Sequence, residues 1–145
     1  MTIVSRPALG QQCLTPSAFG SGNLSRPGGG DQPCTGAVPS FWSANTGSWP
    51  GAYQPTTKFT DVFGSGGGFT TQTLSDVLGG TNGVASNIVA ALLNAASGRN
   101  IAPTVGVVKG IWSEFASTGF FTPTAGVQWN DSQIIFYLQS TMPVH

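Results

Sequence analysis

Apolar positions are unevenly distributed along the chain. They are isolated between prolines and glycines up to about residue 40, and dense and helically spaced from residue 84 onward. The longest apolar stretch, Val84 to Gly98, predicts a helix on length alone. Val84, Ile88, Ala91, Leu92 and Ala95 fall on one face, and Ala85, Val89, Leu93 and Ala96 extend the apolar surface around the side. A helix apolar nearly all round belongs in a core, which leaves Asn94 as the polar group that needs an internal partner. Thr81 or Asn82 is placed to cap its start, and Gly98 supplies a left-handed stop.

Shorter patterns flank this rod. Thr71 to Leu78 predicts a short helix with Leu74, Val77 and Leu78 buried and Gly79-Gly80 as its stop. Pro103-Thr104 opens a helix running to about Ser117, with a stripe of Val105, Val108, Ile111, Trp112 and Phe115, and Gly119 ends it. Gly106 and Gly110 lie on one side of it, at a cost in helix propensity that predicts close approach of a neighbouring backbone. Phe120 to Trp129 reads as an aromatic loop or hairpin. Asn130 and Gln133 form a capping-box pattern for a last helix that buries Ile134, Ile135, Leu138 and Met142 and leaves Phe136 and Tyr137 partly outside. Upstream, Phe59 and Phe63 in Lys58 to Phe63 fit one helical turn or a short strand.

The first 40 residues are different. Pro7, Pro16, Pro27, Pro33 and Pro39, with Gly10, Gly20, Gly22 and Gly28-Gly29-Gly30, exclude a long helix and leave short extended pieces. Ile3, Val4, Leu9, Leu14, Phe19 and Leu24 are anchors that a plain linker lacks, so the segment reads as an extended arm laid across a surface. The expected fold is mainly α: an N-terminal arm over residues 1–35 and a body over residues 36–145 whose C-terminal half is a small bundle of about four short helices. An α+β arrangement is the alternative.

Composition sharpens this picture. Charged residues make up 7% of the 145, against roughly 25% in ordinary soluble domains, and the five basic and five acidic side chains cancel. Such a surface is a poor partner for nucleic acid or anionic lipid, and lacks the net charge that keeps copies apart. Polarity comes from Ser, Thr, Asn, Gln and 21 glycines, and burying it against a second copy strips water from few charges. No apolar run is long enough for a membrane span. Met1 to Pro7 lacks a basic segment followed by an apolar core, so no signal peptide is expected there. Residence inside the cell, export without a cleaved leader, and earlier removal of a leader all stay open.

Little in the sequence points to catalysis. The sole histidine is His145, a poor place to hold a catalytic triad. Asp31, Asp61, Asp76, Glu114 and Asp131 are scattered singly, with Asp76 and Asp131 suited to helix starts, so neither a metal cluster nor a carboxylate pair is expected. Gly64 to Gly68 resembles a phosphate cradle but lacks its lysine, and a permissive turn is the better reading. Cys13 and Cys34 are two free buried thiols, a disulfide closing a loop of about 20 residues and worth roughly 3 kcal/mol, or partners in a bond between subunits. Phe41, Trp42 and Trp49, set among small polar residues, form an aromatic knot that serves either as core or as a sugar-stacking platform. Asn23-Leu24-Ser25 and Asn130-Asp131-Ser132 match a glycosylation pattern, although Asn130 is better used as a cap.

Phe41-Trp42, Trp49-Pro50, Ala90 to Ala96 and Tyr137 to Met142 resemble, in order and spacing, landmarks of bacterial extracellular or cell-surface proteins. In those proteins a Gly-Tyr/Phe-Trp-Lys-Asn-His-Pro-x-x-Trp-Pro stretch precedes an Ala-rich Leu-Asn-Ala-Ala helix. The resemblance spans roughly residues 34–142 and implies a secreted or surface setting without implying a reaction. Ser43-Ala44-Asn45 stand where that pattern has Lys-Asn-His, so no role of the basic and imidazole groups carries over.

The expectation is a structural protein rather than an enzyme, without cofactor or metal. It would self-assemble with copies of itself into an extracellular or cell-surface filament or array through its arm, which over 35 residues can reach up to about 110 Å. A carbohydrate- or surface-binding module using Trp42, Trp49, Trp112 or Trp129 is the alternative, with a glycan as partner, and requires at least two indoles exposed on one face. A virus coat or tail component is a further alternative that shares the arm and the composition.

Overall fold

The computed structural model describes residues 13–20, 34–65 and 67–144. The protein is mainly α. Helices α1 (Pro16–Gly20), α2 (Pro39–Ala44), α3 (Phe59–Phe63) and α4 (Leu74–Leu78) are short; α5 (Gly83–Ala96), α6 (Val105–Thr118) and α7 (Asp131–Ser140) are the substantial ones. Between α6 and α7 lies a two-stranded antiparallel hairpin of β1 (Phe121–Thr124) and β2 (Val127–Trp129), with Phe121 opposite Trp129 and Thr124 opposite Val127.

Helix α5 is the centre. Every residue from Val84 to Asn94 is buried, and α2, α4, α6 and α7 pack around it. Its length follows from its caps: Asn82 Oδ1 accepts from the Ala85 N–H at 3.0 Å, and Gly98 takes a positive φ of 84° just past the end. Helix α6 begins where Thr104 caps Val107 and stops at left-handed Gly119. It buries Val108, Ile111 and Trp112 of its expected stripe, while Val105 and Phe115 pack at the edge. Trp112 closes an aromatic group with Phe59, Phe63 and Phe69 on the outer side of α6. Gly67 (φ 89°) bends the chain over this indole, where an added Cβ would lie 2.3 Å from Trp112 Cζ2, so the backbone at Gly67 lies directly on the ring.

Asn94 and Ser86 of α5 are satisfied from neighbouring segments, whereas Asn87 donates its Nδ2 to the Gly83 carbonyl of the same helix at 2.8 Å and keeps a buried Oδ1 without a partner among the described residues. Asn94 Oδ1 accepts from the Ala37 N–H at 2.9 Å and from the Trp42 indole N–H at 3.0 Å, and its Nδ2 donates to the Ala37 carbonyl at 3.0 Å. Asn94 is not the sole internal polar side chain, as the sequence pattern suggested. Ser86, Asn87, Asn100 and Thr141 are buried too, and Ser86 Oγ donates to the Leu78 carbonyl at 2.7 Å, tying α5 to the end of α4. Asn100 accepts from the Thr35 N–H at 3.0 Å and donates to the Thr141 carbonyl at 3.0 Å. Val38 and Val144 complete the seam, with Val38 N–H to Val144 O at 2.9 Å and Val144 N–H to Gly36 O at 3.0 Å.

The structure corrects several expectations. The segment expected to be extended throughout contains a helical turn at Pro16–Gly20, with proline at its first position, where the missing N–H costs nothing. Helix α4 starts at Leu74 rather than Thr71, because Thr73 forms a capping box with Asp76 and the Gln72 carbonyl is used by the Phe59 N–H at 2.9 Å. Gly79 ends α4 at φ −88°, not in a left-handed conformation. Gly106 and Gly110 face open space instead of a neighbouring helix. Tyr137, expected partly outside, is fully buried, since α1 and the hairpin cover a second face of α7, while Phe136 is 67% exposed.

Replacing Asn94 by Leu strands the Ala37 N–H and carbonyl and the Trp42 N–H together, with an expected loss of about 3 kcal/mol or more in urea unfolding. At Gly36 an added Cβ would stand 2.5 Å from both Asn100 Nδ2 and the Thr141 carbonyl oxygen, so Gly36→Ala is expected to cost about 1–3 kcal/mol by the same measurement.

Candidate functional site

The aromatic knot is part of the core. Helix α2 inserts Trp42, which is 1% exposed, with its indole N–H on Asn94. Phe41 meets Trp42 edge to face at 5.4 Å, and the half-buried Trp49 donates its indole N–H to the Trp42 carbonyl at 3.0 Å. Arg99 covers the outside, its guanidinium 4.8 Å from the centre of the Phe41 ring and 5.6 Å from that of Trp42. Arg99 also donates to the Thr35 carbonyl at 3.0 Å, and the Thr35 hydroxyl donates to the Arg99 carbonyl. Trp112 and Trp129 are buried elsewhere. The structure therefore does not provide the pair of exposed indoles that a tryptophan-based carbohydrate platform needs.

Two arm anchors are described, and both lie against this chain's own body; Ile3, Val4, Leu9 and Leu24 fall outside the described residues. Cys13 and Cys34 form a disulfide with Cα atoms 4.7 Å apart. One residue on, Leu14 is buried, and its carbonyl accepts the Tyr137 hydroxyl at 2.6 Å. The turn of α1 then places Phe19 edge-on to Trp129 at 5.8 Å and to Tyr137 at 5.2 Å. An added Cβ on Gly20 would sit 2.9 Å from Pro123 Cγ, so the end of α1 lies flush on the hairpin. Burial of the Tyr137 hydroxyl holds its pKa well above the ordinary phenol range.

Beside this seat the surface turns apolar. Phe136, adjacent to Tyr137 on α7, is 67% exposed, and its ring lies 6.0 Å from that of Phe19. Phe120 and Ile101 are also large exposed apolar side chains. The acidic residues stand apart: Asp76 and Asp131 sit in first helical turns, and Glu114 accepts from the Thr122 N–H at 3.1 Å, fixing the hairpin on α6. Sequence reasoning missed Tyr137, Arg99 and Asn100 as organising residues. A signal existed for Arg99 and Asn100, which directly follow the Gly98 stop, where a chain reversing off a buried helix must satisfy the last carbonyls. Both of their backbone N–H groups donate to the Asn94 carbonyl, at 3.0 and 3.3 Å.

No helix of the described residues is long and apolar enough to cross a membrane, and the disulfide fits an oxidising compartment. Comparison with protein-family models, with curated proteins and with solved structures found no match.

Replacing both cysteines by serine should cost about 3 kcal/mol in denaturant unfolding. Tyr137→Phe should cost about 1–2 kcal/mol, since it leaves the buried Leu14 carbonyl without a donor. A phenol ionises near pH 10 in the unfolded chain and well above that here, so its contribution is complete below about pH 10 and is lost as the pH rises further. Thermal melts should fall more steeply above about pH 10 for the native protein than for Tyr137→Phe.

Proposed function

We propose that this protein is a structural subunit that self-assembles outside the cell or at its surface, in a filament or array, with the segment preceding Cys13 making contacts between copies. The observation that carries this reading is the exposed Phe136, contiguous with the Phe19 seat on a nearly charge-free protein. A large apolar side chain at 67% exposure beside a second aromatic is a surface that association would cover. With few charges nearby, the desolvation cost of covering it is low. The disulfide agrees with an extracellular setting, as does the resemblance of the Phe41-Trp42, Trp49-Pro50 and Ala90 to Ala96 landmarks to secreted bacterial proteins.

The arm narrows accordingly. Leu14 and Phe19 are occupied within the chain, and of the other anchors, Ile3, Val4, Leu9 and Leu24, the three that precede the disulfide are assigned the contacts between copies. Residues 1–12 can extend up to about 40 Å from the disulfide. Deleting residues 2–12 removes these anchors and spares Cys13, and sedimentation velocity of that variant should show a folded monomer where the intact chain assembles. Phe136→Ser should weaken assembly with little change in melting temperature, because the ring is mostly exposed already. A monomeric intact chain, or undiminished assembly by both variants, would overturn the reading.

A further inference from the structure

We propose that the cleft between the end of α4 and the start of α5 binds a neutral saccharide. The cleft holds about 560 Å³ and is lined by Phe69, Gln72, Asp76, Thr81 and Asn82 among others, a size suited to a small ligand. It is separate from the tryptophans that the sequence offered for such a role and independent of the assembly reading.

Two of its polar side chains are fixed by their duty as helix caps. Asp76 Oδ2 accepts from the Thr73 N–H at 3.1 Å, while Thr73 Oγ1 accepts from the Asp76 N–H at 3.1 Å. Asn82 Oδ1 is held by the Ala85 N–H at 3.0 Å. Each cap consumes one atom of the side chain and sets its direction, which leaves Asp76 Oδ1 and Asn82 Nδ2 without a partner among the described residues. The Thr81 hydroxyl and the Gln72 amide are likewise unpartnered there. Phe69 supplies a half-buried ring braced 5.0 Å from Phe59 and 5.8 Å from Trp112. Polar groups held in place before binding lose little freedom when a ligand arrives.

The chemistry of these groups selects the ligand class. A carboxylate oxygen accepts, an amide NH₂ donates and a hydroxyl does both. A ligand matching all of them needs groups that both donate and accept, as sugar hydroxyls do, and a pyranose ring has an apolar C–H face to lay on Phe69. Among the described residues no lysine or arginine lines the cleft and one carboxylate does, which disfavours an anion. A lone carboxylate is too few ligands for calcium.

Titration of the intact protein with cellobiose, maltose, mannobiose and N,N′-diacetylchitobiose, followed by ¹H–¹⁵N NMR, tests this, with glucuronate as the anionic control. At least one neutral disaccharide should produce saturable shifts in the Asn82 side-chain amide and the Thr81 backbone, and glucuronate should produce none. Asn82→Asp keeps the capping oxygen and removes the donor, so binding should weaken about tenfold with the melting temperature held or raised. Gln72→Ala, at an exposed side chain without a protein partner, should weaken binding several-fold without affecting the fold. The assignment is overturned if no neutral disaccharide gives saturable shifts at these residues, if glucuronate binds as well, or if Asn82→Asp binds like the native protein.

Discussion

The structure turns on one buried amide. Helix α5 is close to a uniform rod of alanine, leucine, isoleucine and valine, and such a surface offers neighbours many nearly equivalent ways to lie against it. Asn94 removes that degeneracy. Its carboxamide takes one donor from the backbone of Ala37 and one from the indole of Trp42, and returns a donor to the Ala37 carbonyl. Any rotation or slip of α5 would strand those groups away from water, at a cost of about 1–3 kcal/mol each. Asn100 repeats the device a few residues later on Thr35 and Thr141, and Gly36 lies between the two amides because no side chain fits there. The segment leaving Cys34 and the segment ending at Val144 are thereby joined at one end of the same helix.

Scarcity of charge shapes the rest. With few ions to work with, the chain starts four of its helices on neutral side chains: Thr73, Asn82, Thr104 and Asn130 each accept an N–H of the first turn. Two of its charges hold backbone or aromatic faces, Glu114 on the hairpin and Arg99 over Phe41 and Trp42. Because caps are local, they position side chains as reliably as they stop helices. In this way Asp76 and Asn82, which close one helix start each, also present their remaining polar atoms to one cleft.

Local signals are legible in the sequence. The α5 pattern, the Asn130–Gln133 capping box and the stop at Gly119 all follow from residues within a turn or two of each other, and the stretch open between loop and hairpin is a hairpin from Phe121 to Trp129. What escaped depends on contacts between distant segments. Tyr137 has the spacing of a boundary residue on α7, and its burial comes from a segment more than 100 residues earlier, where Leu14 accepts its hydroxyl and Phe19 of α1 packs on its ring. Gly106 and Gly110 carried the signature of close packing, yet nothing in their own helix could say that this side faces solvent. The tryptophans pose the same difficulty: an indole among small polar residues looks alike as platform or as core, and the Trp42 partner that decides for core lies 52 residues away.

The disulfide ties a stretch that holds few described apolar anchors. Cys13 and Cys34 bound a segment rich in proline, glycine and serine, whose described apolar contacts rest on Leu14 and Phe19. Two anchors set against the ordering of residues 13–20, at about 1–2 kcal/mol per residue, would leave this stretch free to detach. The covalent link lowers that entropic cost and holds Phe19 against Trp129 and Tyr137. Phe136 then stands next to a fixed aromatic surface rather than beside a fraying end. A fixed neighbour matters for association, since a contact made to an immobile patch loses less entropy than one that must first order its own seat. Closing the Cys13–Cys34 loop and fixing the aromatic seat are therefore linked parts of one arrangement, in which Leu14 and Phe19 pack on the body and the exposed Phe136 stands beside them.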